Sequence, residues 1–330
     1  MVRGVKNCQI WQQSNVVAMV DNVKLYLPRC RDMPSVTPYL DSGSERTDID
    51  TGEVSVYGSV SNIKVSQTFG GYYIQGSLPK YLYGNNVCQL TRKDIGTAIE
   101  NLSDTLHLPI QDADVTGIEV GANICLSKVP SAYIGLLGDM PRMKRVMLGD
   151  SLYYRGSGKV FPRQYYFYDK KQEVKEKGGV MPVRLETANM LRYEMRLYRR
   201  LAKQLGIQEL KASTLQDRAV YRELVNRWLD GYLSINKITG MKEGGLKGVS
   251  GLKEAKELFL ARLIARSGGT SVIEEFINDL KTGSGMIGKR DVISKTKREL
   301  YRLAMLKKGS VDDGLINELT DNVKMIAQDG

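Results

Sequence analysis

The segment Val115 to Leu126, VTGIEVGANICL, constrains the fold more than any other part of this 330-residue chain. Thr116, Ile118, Val120, Ala122 and Ile124 fall on one face and Gly117, Glu119, Gly121 and Asn123 on the other. A period of two held for that length is a strand with one apolar side. The second face is small, polar and acidic. Glycine weakens a strand, so two of them flanking a glutamate suggest a close approach by a sugar-phosphate backbone or by a metal with its ligands. The plainer reading is a solvent-facing Glu119 on a one-sided sheet.

Around this strand the same period recurs. Residues 1–20 carry no clear pattern and read as an extension or a short added strand. NVKLYLP, from Asn22 to Pro28, is a first strand, followed by a long polar connection from Arg29 to Gly52. EVSVYGSVSNIKVSQTF and GGYYIQGSLPK place β-branched and aromatic residues at alternate positions with Gly or Ser at the joints. LTRKDIGTAIENLSDTLHL then changes period: Ile95, Ile99, Leu102 and Leu106 have helical spacing, with Thr91 as N-cap. PSAYIGLLGDM predicts a second helix, and PRMKRV, which holds Lys144 and Arg145, reads as a basic turn.

Ser151 to Lys171, SLYYRGSGKVFPRQYYFYDKK, mixes aromatics, glycines and cations in a way that packing alone does not demand. The period of two puts Gln164, Tyr166, Tyr168 and Lys170 on one face, a phenol beside an ammonium. A phenol titrates near ~10 when unperturbed, so a neighbouring cation that favours phenolate would make Tyr168 a usable nucleophile. The same tyrosines also suit an amphipathic strand that does nothing but pack. QEVKEKGG reads as a mobile hairpin loop. ANMLRYEMRLYRR then sets Arg192, Glu194 and Arg196 on one face, an arrangement that serves a structural salt-bridge strand or a site that holds a cation and grips phosphates.

After Leu201 the strand signal ends. TLQDRAVYRELVNRWLDGYLSI predicts a helix capped by Thr214, and Gly240 to Gly251 a flexible linker or phosphate-contacting loop. Ser250 opens a further helix, Ser271 and Glu274 form a capping box for the next, and the last, with Lys295, Lys297 and Arg298, is strongly basic. This is a helix-turn-helix arrangement or a plain helical appendage.

Composition and motifs narrow the chemistry. Lys plus Arg number 48 against 37 Asp plus Glu, a net charge of +11, so the chain is drawn to polyanions, nucleic acid foremost. Cys8, Cys30, Cys88 and Cys125 form no C-x-x-C pair, which fits reduced, intracellular thiols. No apolar run predicts export or membrane insertion. There is no P-loop, no G-x-S-x-G elbow and no G-x-G-x-x-G after a strand. The single histidine, His107, cannot build a histidine metal cluster or a triad and reads as structural. Carboxylates, phenols and cations remain, the groups used in metal-assisted phosphoryl transfer with a covalent tyrosine intermediate.

GSLPKYLYGNNV, the Glu119 strand, and QYYFYDKK followed by NMLRYEMRLYRRLAKQLG stand in the order found in a known family. Over residues 21–205 the chain resembles the phage and plasmid rolling-circle replication initiators of the gene II/X type. The resemblance implies an α+β fold, a five-stranded antiparallel sheet with helices on one face. A nickase domain would span residues 1–205 and an all-α DNA-binding or accessory domain 206–330. It implies Tyr168 as nicking nucleophile with Lys170 beside it, and Glu119 and Glu194 as ligands of a divalent metal, Mg2+ or Mn2+. Asn123 or Gln75 would complete that site in place of the absent paired-histidine motif. Lys170, Arg192 and Arg196 would stabilise the pentavalent phosphate, and Lys144, Arg145, Lys295, Lys297 and Arg298 would contact DNA. The implied partners are origin duplex, the single-stranded nick site and host replication proteins, in a bacterial cytoplasm. A non-catalytic DNA-binding replication or packaging protein and a plasmid mobilisation nickase are the other readings.

Overall fold

The computed structural model describes residues 18–30, 33–87, 90–156, 162–238, 250–267, 270–282, 290–304 and 314–329. Their period-two segments become β1 (Met19–Pro28), β2 (Ser42–Thr47), β3 (Val54–Val60), β4 (Ile63–Gln67), β5 (Gly71–Ser77), β6 (Asp114–Leu126), β7 (Met143–Leu148), β8 (Ser151–Gly156), β9 (Arg163–Asp169) and β10 (Asn189–Tyr198). Among the described residues these form one antiparallel sheet in the order β2-β3-β4-β5-β1-β6-β10-β9-β8-β7. Ten strands replace the five expected. β2, SGSERT, lies exposed along its whole length, so no apolar alternation marks it, and only its backbone ladder with β3 makes it a strand. β7 is the segment read as a basic turn, and it pairs with β8 along Met143 to Leu148.

The helices are α1 (Leu78–Tyr83), α2 (Arg92–Leu106), α3 (Pro130–Ile134), α4 (Lys170–Glu176), α5 (Leu201–Leu205), α6 (Arg218–Leu233), α7 (Leu252–Ser267), α8 (Thr270–Thr282), α9 (Arg290–Ala304) and α10 (Gly314–Asp329). Thr91 and Asp94 form a capping box at the start of α2. His107 closes that helix in the left-handed region with φ 52°, its ring 4.4 Å from Tyr39. This is a structural post. Thr214 does not cap α6: its hydroxyl donates to Lys211 O from a short 3-10 turn, and α6 starts after Asp217.

One face of the sheet meets most of the helices. Tyr165, Phe167, Leu191, Tyr193, Met195 and Ile118 point into a core with Leu102 of α2, Tyr133 of α3, Trp228 of α6 and Val323 of α10. The Tyr193 ring stacks on Phe167 at 4.4 Å, and its hydroxyl donates to Trp228 O at 2.8 Å. The boundary expected at 205/206 therefore falls inside a shared core. α6 and α10 complete the sheet's apolar face, while α7 to α9 surround a smaller core of Ile264, Ile273, Ile277 and Leu303. Residues 1–17 with Cys8, the residue Cys88, and 239–249 of the glycine-lysine stretch lie outside the described residues.

The stretch read as a hairpin after Lys171 is α4. Asp169 ends β9 and caps the helix, its carboxylate accepting from Lys171 N at 2.8 Å and Gln172 N at 3.1 Å. An aspartate at that point turns the chain out of the strand, so Lys170 is the first helical residue and not a member of the Tyr166–Tyr168 face. α4 borders the opposite face of the sheet, where the site lies.

Candidate active site

On the face turned away from the main core, three carboxylates and two arginines meet over β1, β6 and β10. The first carboxylate comes from a bulge. Val20 pairs with Val120 and Val23 with Ile118, so β1 uses one residue more than β6 over the same distance. Val20 and Val23 both stay with the core, and Asp21 turns to the other face. Asp21 Oδ1 accepts from Ser77 Oγ at 2.5 Å, and Oδ2 from Arg192 Nη2 at 2.6 Å and Asn86 Nδ2 at 3.2 Å. Asp21 lies one residue before the first predicted strand and was not expected here; a buried acid at a bulge interrupts the period that would reveal it.

Arg192 is fully buried. Besides Asp21 it reaches Glu194 Oε1 through Nε at 3.0 Å and Asn123 Oδ1 through Nη1 at 3.2 Å. A buried guanidinium is tolerable only when its donors are satisfied, and these three acceptors do that. Gly121 makes the arrangement feasible. A Cβ there would lie 2.9 Å from Tyr193 O, 3.0 Å from Arg192 Nη2 and 3.0 Å from Glu194 Cγ. The close approach expected at Gly121 is thus internal. At Gly117 it is again a side chain of this protein, with a Cβ 3.0 Å from the Lys24 stem.

Glu194 is the hub. Its Oε1 accepts from Tyr168 Oη at 2.6 Å and from Arg192, and Oε2 accepts from Arg196 Nη2 at 2.9 Å. Burial acts to raise this carboxyl, but Arg192 and Arg196 hold it down at about 2. Glu119 sits 3.3 Å from Arg196 Nε, and burial pushes it up to about 7 against the pull of Arg196. The Tyr168 phenol is held well above its ordinary value by burial and then by the Glu194 charge. Arg196 also lies 4.0 Å over the Tyr166 ring, a cation-π contact, while the Tyr166 hydroxyl donates to Gln164.

The phenol and the ammonium are not partners. Lys170 is buried and gives its protons to Asn86 Oδ1 at 2.8 Å and Glu173 Oε2 at 2.7 Å, so it anchors the start of α4 to the loop carrying Asn86. The group beside Tyr168 is a carboxylate, a proton acceptor. Tyr166, Tyr168 and Arg196 line a cleft of about 520 Å³ whose other walls are α4 residues, Tyr153 and the β7–β8 turn.

A divalent ion does not fit this donor set as it stands. Both Glu194 oxygens are engaged, Glu119 shares Arg196, and among the described residues no three His, Cys, Asp or Glu converge as metal ligands. Of the suggested auxiliaries, Asn123 holds Arg192, whereas Gln75 is exposed opposite Lys24 and Ser77 makes the Asp21 contact instead. Lys144 is exposed on β7 and Arg145 Nε donates to Leu137 O at 3.0 Å. Lys295 and Arg298 are exposed on α9, and Lys297 is 2.8 Å from Glu274. None of these five belongs to the cluster.

Residues 19–218, more than half the chain, match the family model for the amino-terminal part of the phage replication-associated protein encoded by gene II. The chain belongs to that family. The match encloses every residue of the cluster, from Asp21 to Arg196, and agrees with the gene II/X resemblance read from the sequence. No curated protein matches the chain. Among solved structures it is similar to a rolling circle replication initiator protein from Geobacillus stearothermophilus, 11% identical, over 73% of this chain and 91% of that one, with a TM-score of 0.37. Among the described residues no helix is long and apolar enough to cross a membrane.

Proposed function

We propose that this replication-associated protein nicks one DNA strand at a replication origin, with Tyr168 as nucleophile. The observation that carries the reading is the 2.6 Å hydrogen bond from Tyr168 Oη to Glu194 Oε1 at the wall of an open cleft. In the reaction Tyr168 Oη attacks the scissile phosphorus while its proton passes to Glu194 Oε1. The P–O3′ bond breaks, the 3′ oxygen takes a proton from water, and a 5′-phosphotyrosine and a 3′ hydroxyl result. The 3′ hydroxyl would serve a polymerase, and reversal of the same step would rejoin the strands.

Glu194 at about 2 is a weak base while two arginines hold it. Arg196 is the one that faces the cleft, its side chain 28% exposed, and a phosphate arriving there competes with Glu194 and Glu119 for its guanidinium. Its transfer to the phosphate would stabilise the charge gathering on the pentavalent oxygens and at the same moment make Glu194 a better proton acceptor. Arg192, held by Asp21 and Asn123, stays with the carboxylate and positions it. Lys170 is a positioning residue through Asn86 and Glu173.

The test is covalent capture. Single-stranded oligonucleotides tiled across an origin, labelled at the 5′ end or at the 3′ end, should yield a denaturation-resistant adduct with the wild-type chain that carries the 3′ label alone. No adduct on any tile, with binding retained, would leave a DNA-binding replication protein without nickase activity.

A further inference from the structure

The sheet face that carries the cluster extends well beyond it, and there it is lined by tyrosines and cations in register. Tyr198, Gly117, Lys24, Gln75 and Lys64 stand opposite one another on β10, β6, β1, β5 and β4. Because Gly117 has no side chain, Lys24 crosses β6 and brings its ammonium 5.5 Å from the centre of the Tyr198 ring. One step along, Tyr26 and Tyr73 are paired across β1 and β5 with ring centres 5.0 Å apart, Tyr73 being half exposed. On the other side of Arg196 the row continues through Gln164 to Arg155 on β8, and the Arg155 guanidinium lies 5.8 Å over Tyr153, whose ring meets Tyr166 edge-on at 4.9 Å.

This pattern is not a salt-bridge network. Among the described residues Lys24, Lys64 and Arg155 have no carboxylate partner, while the acids nearest the row, Glu119 and Glu194, are bound by Arg196. Exposed tyrosine rings interleaved with unpaired cations are what a single strand of nucleic acid needs, because bases stack on the rings and phosphates lie by the cations. A duplex keeps its bases stacked inside and could use only the cations. The dimensions also suit a strand of several nucleotides. From β10 to β4 is four strand spacings, about 19 Å at about 4.8 Å each, and Tyr198 stands six residues along β10 from Arg192, about 20 Å.

We propose, resting on the nicking reading above, that this open face is a stacking track for single-stranded DNA that leads to Tyr168, with Tyr73 and Tyr198 as base platforms and Lys24, Lys64 and Arg155 as phosphate contacts. The track assigns a function to the amino-terminal strands β4 and β5, which lie outside the cluster.

The experiment measures binding of a labelled oligothymidylate of about 12 nucleotides, and of a duplex of the same length, by fluorescence anisotropy across a salt series. The full-length Tyr168→Phe protein is the background, so that cleavage plays no part. Tyr73→Ala and Tyr198→Ala should each weaken single-strand binding about 5-fold to 100-fold and leave duplex binding within about twofold. Lys64→Ala and Arg155→Ala should each lower the log-log salt slope on the single strand by about 0.7. Tyr73 is half exposed and its truncation does not threaten the core, so it decides the matter if Tyr198→Ala fails to fold. Single-strand affinities within about twofold of the background in Tyr73→Ala, or an equal loss on duplex and single strand, would overturn the track. Failure of the wild-type chain to form an adduct would sink the nicking reading separately and would not alter these affinities.

Discussion

Tyr168 donates its phenolic proton to Glu194 diagonally across the β9–β10 pair, at 2.6 Å, although the residue directly opposite Tyr168 is Arg192. The diagonal places a nucleophile and a proton acceptor together without placing the phenol beside an ammonium. Tyr168→Phe should therefore abolish adduct formation while oligonucleotide affinity changes less than about twofold, since one hydroxyl and no phosphate contact is lost. Tyr166→Phe should keep the adduct, because the Tyr166 hydroxyl is turned to Gln164. Adduct formation by Tyr168→Phe and its loss in Tyr166→Phe would move the nucleophile one pleat along β9.

Gly121→Ala tests the packing beneath the cluster. The added methyl would press on Tyr193 O, a backbone atom that cannot step aside, and on the Arg192 guanidinium. Overpacking of this kind costs about 1–3 kcal/mol, and the displaced Arg192 loosens its hold on Glu194. Urea denaturation should show the loss of stability, and adduct formation should fall more steeply than oligonucleotide binding. Stability and nicking equal to wild type would mean that β6 shifts to admit the methyl.

The two glutamates have opposite pH signatures. The Glu194 carboxyl is near 2 in the folded protein against an ordinary 4.5, so the stability it contributes is present above about 4.5 and is lost as pH falls toward 2. Glu119 is near 7, above its ordinary 4.5, so its contribution is full below about 4.5 and is lost as pH rises through 7. Compared over pH 4.5 to 8, the urea midpoint of wild type should fall relative to that of Glu119→Gln as pH rises. Glu194→Gln should be the less stable protein throughout that range, since it strips Arg192 and Arg196 of a buried partner. A Glu119→Gln curve parallel to wild type would place Glu119 at its ordinary value.

Much of this site was legible because its residues obey the period of two. Arg192, Glu194 and Arg196 share a face as their spacing requires, and so do Glu119, Gly121 and Asn123. What the period could not show lies where it breaks. Asp21 sits at a bulge, and Asn86 reaches the site from a loop. Lys170 left the strand because Asp169, one residue earlier, caps a helix. Two strands escaped for similar reasons: β2 is polar on both faces, and β7 reads as a basic turn when its pairing with β8 is unknown. The glycines were correctly read as points of close approach, but sequence does not say whether the approaching group is a ligand or the protein's own arginine and lysine.

The engagement of both Glu194 oxygens also predicts how the free protein responds to metal. Ligands that bind the native state raise Tm by mass action, and a carboxylate cluster with a Kd well below the metal concentration would shift it by several degrees. Millimolar Mg2+ or Mn2+ should leave the Tm of the DNA-free protein within about one degree of its value in chelator. Arg196→Ala frees Glu119 and Glu194 Oε2, so the same titration should then show a metal-dependent rise. A several-degree rise in wild type would mean that Arg196 yields to the cation unaided, and Glu119 and Glu194 would return as ligands.

The last prediction concerns where the chain can be cut. The helices after residue 205 look detachable in sequence, each with its own apolar stripe and cap, and α7 to α9 do enclose a core of their own. α6 and α10 do not stand apart. Trp228 is fully buried, accepts the Tyr193 hydroxyl at its carbonyl and returns its indole N–H to Tyr193 O at 3.4 Å, so the strand that carries Glu194 rests on α6. Glu318 of α10 ties to Ser127 N and Oγ, both at 2.7 Å, at the end of β6. Trp228→Ala should cost about 3–5 kcal/mol in urea and lower adduct formation, although the residue lies on the far side of the sheet from the cleft. Truncation after Gln204 removes both helices and should give a chain without a cooperative unfolding transition. Replacing residues 250–304 by a flexible linker, which keeps α6 and α10, should preserve the fold and cleavage of a short single strand while reducing duplex affinity and its salt slope through loss of Lys295 and Arg298. A stable, nicking-competent fragment ending at Gln204 would show that the sheet holds its shape without the helices beneath it.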